Sequence, residues 1–90
     1  MKVQNMKNKN GRSIPNQFII DFDYGQVFQS YNSAIVKITF ENGFKIVELD
    51  EHYWDYSKTT GKYRNLFLGE TKKETEKKIA SGEYILTDLN

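Results

Sequence analysis

The sequence predicts an α+β domain, a small antiparallel sheet of four to five strands with two short helices packed on one face. Three observations carry that prediction. Apolar residues alternate with a period of two between Gln17 and Leu49. An Asn42-Gly43 pair sits between two such runs, where a tight hairpin needs positive φ. Helix start and stop signals crowd the stretch from Thr59 to Gly82.

The elements follow in order. Phe18, Ile20 and Phe22 fall on one face of a first strand, with Ile19, Asp21 and Asp23 on the other. Tyr24-Gly25-Gln26 reads as a turn. A second strand holds Val27 and Gln29 against Phe28 and Ser30, and Asn32-Ser33 interrupts it. Ala34 to Phe40 is the clearest strand, because Ile35, Val36 and Ile38 carry high β-propensity. Phe44 to Leu49 returns as its hairpin partner. Asp50 to Lys58 has no period. Thr59 or Thr60 is then a candidate N-cap, and Tyr63, Leu66 and Phe67 share a helical face that Gly69 closes. Thr71 and Glu74 have capping-box spacing and open a second helix to Ser81, with Gly82 after it. Glu83 to Leu89 reads as the last strand.

Ninety residues allow one domain. The mix of 38% hydrophobic, 28% charged and 14% aromatic residues is that of a globular chain. Residues 1–16 read differently. They hold Lys2, Lys7, Lys9 and Arg12, four asparagines and little apolar content. The expectation there is a flexible basic arm, with the single domain spanning 17–90. The arm carries all its charge as positive, so the remainder is mildly acidic although the chain totals +1. A basic domain, the usual mark of a nucleic-acid binder, is therefore missing.

Several chemistries lack their residues. There is no cysteine, hence no disulfide, thiolate metal site or cysteine nucleophile. His52 is the single histidine, so a histidine metal cage and a two-histidine acid/base pair are excluded. The glycines are scattered at turns and helix ends rather than gathered in a phosphate loop. No apolar run is long enough to span a membrane, and none follows the first basic residues as a signal peptide would require. The expectation is a cytoplasmic protein that is not an enzyme and uses no cofactor or metal.

Two constellations remain. Asp21, Asp23, Glu48 and Asp50 are expected to form one acidic strip on neighbouring strands, able to steer the approach to a basic target. Tyr53 and Tyr56, with Lys62 and Arg64, interleave aromatic and basic side chains. That set suits a protein-binding hot spot, and it equally suits base stacking with phosphate contacts. Trp54 is expected in the core. A metal-dependent nuclease on the acidic cluster is the remaining possibility, and the spacing of those carboxylates matches no known ligand loop.

The stretches Phe28-Gln29-Ser30-Tyr31-Asn32-Ser33, Tyr53-Trp54-Asp55-Tyr56-Ser57, Thr59-Thr60-Gly61-Lys62-Tyr63-Arg64-Asn65 and Phe67-Leu68-Gly69-Glu70 carry a resemblance. With Leu49-Asp50 and Gly82-Glu83-Tyr84 they are similar to a family of short uncharacterised proteins of bacteriophages and plasmids of Gram-positive bacteria. The resemblance covers about residues 14–90 and brings no known activity or site residue with it. It implies a mobile-element setting. By analogy, the expected function is inhibition of a host defence protein inside the host cell, anti-CRISPR proteins being one such class. The alternative is a single-stranded nucleic-acid-binding module.

Overall fold

A computed structural model describes all of residues 1–90. The elements run β1 (Lys2–Lys7), β2 (Ser13–Phe22), β3 (Gly25–Ser30), β4 (Ser33–Glu41), β5 (Phe44–Asp50), α1 (Lys58–Leu68), α2 (Lys72–Ala80) and β6 (Tyr84–Thr87). The six strands form one sheet in sequence order. The fold is thus α+β with two helices, and the sheet has more strands than the four or five expected.

The Asn42-Gly43 hairpin forms as read. Both residues take positive φ (51° and 83°), and Glu41 pairs directly with Phe44. Such a turn matches the twist of its strands. The helix ends also follow their local signals. Thr71 and Glu74 make the full capping box, and Gly69 closes α1 at φ 70°. The N-cap of α1 lies slightly earlier than expected, at Ser57, whose hydroxyl accepts from the Thr60 amide.

The segment 1–16 departs from the expected loose arm. Lys2–Lys7 pairs antiparallel with β2, setting Val3 opposite Ile20 and Asn5 opposite Phe18. Met6 and Ile14 are buried in the core. Asn5 Nδ2 donates to the Ile14 carbonyl at 2.9 Å. This order comes from cross-strand pairing, which a short polar stretch does not advertise by itself.

The sheet is mixed rather than antiparallel. β6 runs parallel to β5, with Val47 opposite Tyr84 and Leu49 opposite Leu86. A parallel neighbour needs a crossover connection, and the two helices supply it.

Register decides which side chains face the helices. Phe28, Val36 and Leu49 lie on one row across β3, β4 and β5, and all are fully buried. Ile35 has no partner across the ladder between the Phe28–Val36 and Gln29–Ala34 pairs. That bulge lets both Ile35 and Val36 be buried, where an unbroken strand would turn one away. α1 packs onto this face through Phe67, whose ring stacks 5.7 Å from Phe28, and through Thr60, 3.0 Å from the Ser30 hydroxyl. Leu66, expected on the inner face, is exposed instead.

α2 is tied to β6 through Glu70. The Glu70 carboxylate accepts from Tyr84 Oη and Lys78 Nζ, both at 2.8 Å, and from Thr75 Oγ1 at 2.5 Å. Burial alone would push this carboxyl up, but Lys78, Thr75 and Tyr84 hold it below the usual range. Burial, with Glu70 beside it, pushes the Tyr84 phenol up to about 12.

One buried polar group is unmatched. Gln17 is fully buried, and neither its Nε2 nor its Oε1 has a partner. An unpaired buried amide costs about 1–3 kcal/mol. Gln17→Met keeps the shape and removes that cost. Chemical denaturation should therefore show equal or higher stability for the variant. A clear loss would mean that the amide is satisfied in solution.

Candidate functional site: a basic pocket and an aromatic cleft at the head of α1

The segment that lacked any period, between β5 and α1, shapes this end of the molecule. Asp50 closes β5 fully buried. Its Oδ2 accepts from the backbone amides of His52 and Tyr53 at 3.0 and 2.9 Å, and its Oδ1 from Leu89 at 2.8 Å. Burial would raise its pKa. The Leu89 amide, the nearby Asn90 side chain and the Tyr53 and His52 amides outweigh that and hold it below the usual carboxylate range. Asp50 is therefore a fixed turn-former and is not presented to a partner.

The expected acidic strip does not assemble. β2 and β5 are separated by β3 and β4, three strand spacings of about 4.8 Å each. The cross-sheet row from Asp21 passes through Gln26 and Ile38 to Val47, so Glu48 points to the opposite face. There Glu48 lies across from Lys37. Asp21 accepts from Gln26 Nε2 at 2.7 Å, and Asp23 sits exposed in the β2–β3 turn. No three carboxylate or histidine side chains converge as a metal site.

The aromatic and basic residues do come together, in two adjoining depressions that share Ser57. The smaller is a cleft of about 120 Å³ whose walls include Tyr31, Tyr53, Tyr56 and Ile35. Tyr53 and Tyr56 meet edge to face at 5.4 Å. Tyr53 also packs on the core, whereas Tyr56 is 70% exposed. Trp54, expected inside, is half-buried against the core.

The larger depression, about 500 Å³, has no hydrophobic side chain in its wall. Four cations line it, Lys58, Lys62, Arg64 and Lys72, against the single carboxylate of Asp55. Arg64 is the floor, with its side chain 1% exposed. Its Nη1 donates to the Trp54 carbonyl at 2.6 Å and to Asp55 Oδ1 at 3.2 Å. Its Nη2 donates to Asn65 Oδ1 at 2.9 Å, and the guanidinium carbon lies 5.2 Å from the Trp54 ring centre. The planar cation is thereby held flat and oriented. Lys72, the first residue of α2, reaches Asp55 Oδ2 at 2.6 Å. Burial would raise the Asp55 carboxyl, and Lys72 and Arg64 together hold it below its usual value.

Of the residues singled out from sequence, Tyr53, Tyr56, Lys62 and Arg64 thus share one end; Asp50 lies there too but buried against the Tyr53 backbone, and Asp21, Asp23 and Glu48 do not join them. Ser57, Lys58, Gly61, Asn65 and Lys72 were missed. A signal for some of them exists: Ser57 stands three residues before Thr60, and Lys58 follows it with no acid in the first helical turn. A helix normally favours acids there.

The arrangement defines a small α+β protein with a mixed six-stranded sheet and a polar, cationic end. The chain belongs to a family of unknown function (DUF8033), whose model matches residues 1–83. No curated protein and no solved structure matches the chain. No helix is long and apolar enough to cross a membrane.

Proposed function

We propose that the protein is a small non-catalytic binding protein whose working surface is the head of α1, and that single-stranded nucleic acid is bound there. The observation that carries this reading is the meeting of the tyrosine cleft and the cationic pocket at Ser57. A flexible polyanion with ring faces needs both features side by side: aromatic planes to stack on and cations along its backbone. The overall charge of +1 does not oppose this, because the cations are concentrated at one end. Fluorescence anisotropy with a labelled oligothymidylate tests the reading. Binding should weaken steeply as salt rises, and Tyr56→Ala should lose about 1–3 kcal/mol of affinity. No binding at low salt overturns it.

A second surface favours a protein partner. Tyr24 in the β2–β3 turn and Phe40 of β4 are both exposed, and the Phe40 amide donates to the Tyr24 carbonyl at 2.8 Å. Tyr24 and Phe40 line one depression with Lys37, Thr39 and Glu41, and exposed aromatics beside charges have hot-spot composition. On this reading the protein is a phage or plasmid inhibitor of a host defence protein, acting in the host cytoplasm. Phe40→Asp should then abolish retention of the same host protein that the wild type retains on a column. Equal retention by both removes this surface from consideration.

A further inference from the structure

We infer that the floor of the cationic pocket is a phosphate seat, built by the buried guanidinium of Arg64 beneath Gly61 and by the free amides at the start of α1. This deepens the nucleic-acid reading and names the group that would be held.

Four observations converge on it. First, Arg64 has unused donors although it is buried. A guanidinium carries five N–H groups. Nη1 makes two bonds and Nη2 one, and Nε makes none. Leaving a buried charged donor unmet is costly, and an arriving oxyanion that draws on these donors relieves the cost.

Second, Gly61 closes the first turn of α1 and has no positive φ to justify it. A Cβ built there would stand 3.6 and 3.7 Å from Arg64 Nη2 and Nη1, and 3.7 Å from Asp55 Oδ1. Alanine therefore fits. Alanine is the better helix former, so the bare glycine leaves a methyl-sized gap beside the guanidinium.

Third, the first turn of α1 has the wrong charges for its own stability. Lys58 stands at its first position and no acid accompanies it. α2, by contrast, carries Glu74 in its first turn and Lys77 and Lys78 in its last. Cations at a helix start oppose the macrodipole, and an anion bound there removes the conflict.

Fourth, the amides are available. Ser57 Oγ takes the Thr60 amide and the Ser57 carbonyl takes that of Gly61. The Lys58 and Thr59 amides have no intrahelical acceptor. Phosphate at such a position gains from the amides and the dipole together.

The chemistry is a tetrahedral dianion or a phosphodiester, recognised through charge-assisted donors. Both sources present non-bridging phosphoryl oxygens as acceptors.

The test is an NMR titration of amide-labelled full-length protein with inorganic phosphate, against sodium chloride at matched ionic strength. Phosphate should shift the Lys58, Thr59 and Gly61 amides, and chloride should not. Gly61→Ala should bind phosphate about tenfold more weakly, with a melting temperature at or above that of the wild type. Lys58→Glu, at an exposed position, should weaken binding as well, so the result does not depend on changing Arg64 itself. Equal shifts with chloride overturn the seat, as does a Gly61→Ala protein that binds phosphate like the wild type. Oligothymidylate with and without a 5′-phosphate then tells a terminal phosphate from an internal diester. Failure of every oligonucleotide to bind, with the phosphate shifts intact, removes the nucleic-acid reading and leaves the seat. Oligonucleotide binding without phosphate shifts does the reverse.

Discussion

Phe28→Ala is expected to be the most damaging single substitution in the protein, costing about 3–5 kcal/mol of folding stability. Phe28 is fully buried in β3 and its ring stacks on Phe67 of α1. It stands across the ladder from Val36, which is equally buried. Truncation would remove the large apolar contact between the sheet and α1 and leave a cavity that a rigid strand cannot collapse. Urea denaturation followed by circular dichroism measures the loss directly. For a chain of this size the melting temperature should fall by roughly 10 °C or more. A loss below about 1 kcal/mol would mean that α1 is not held to the sheet through this pair.

Asp50→Ala should come next, at on the order of 3 kcal/mol, because it strands the backbone amides of His52, Tyr53 and Leu89. The pH dependence gives this prediction a sign. The folded-state pKa of Asp50 is held below its ordinary value. Its stabilising contribution is therefore complete above the unfolded value and disappears as pH falls through the folded one. The stability gap between wild type and Asp50→Ala should be constant near neutrality and narrow below about pH 4. A gap that stays constant on acidification would show that the carboxylate's charge is not what holds these amides.

Asp50 also illustrates where reading the sequence succeeds and where it stops. The Asn42-Gly43 hairpin, the Thr71–Glu74 capping box and the Gly69 helix end are legible because each depends on residues within a few positions of one another. Strand β1 is not, since its order comes from pairing with β2 and from burying Met6. The parallel course of β6 depends on where two helices deliver the chain, which no local pattern encodes. At the candidate site, Tyr53, Tyr56 and Lys62 could be picked out by type. The burial of Arg64 could not, because arginine is mostly exposed and here it is covered by Trp54, Asp55 and Gly61. The acidic strip failed for a topological reason. Proximity in sequence between Glu48 and Asp50 says nothing of Asp21, which lies three strands away on the other face from Glu48.

The parallel docking of β6 has a kinetic consequence. Strands β1 to β5 form a meander in which every pairing joins sequence neighbours. Each closes a short loop at small entropic expense. The β5–β6 ladder forms only after both helices have folded back across the sheet, which makes it the pairing of longest sequence separation in the molecule. Contacts of that kind slow the search for the native state. β6 is also short, with Ile85 and Leu86 exposed. Its amides should be the first of the sheet to exchange with solvent hydrogen, through an opening that detaches β6 with α2 while the meander stays closed. The molecule is thus divided into an early-forming sheet and a late-joining helical flap hinged at Asp50, the residue whose carboxylate fastens the start of that flap to Leu89 beyond its end.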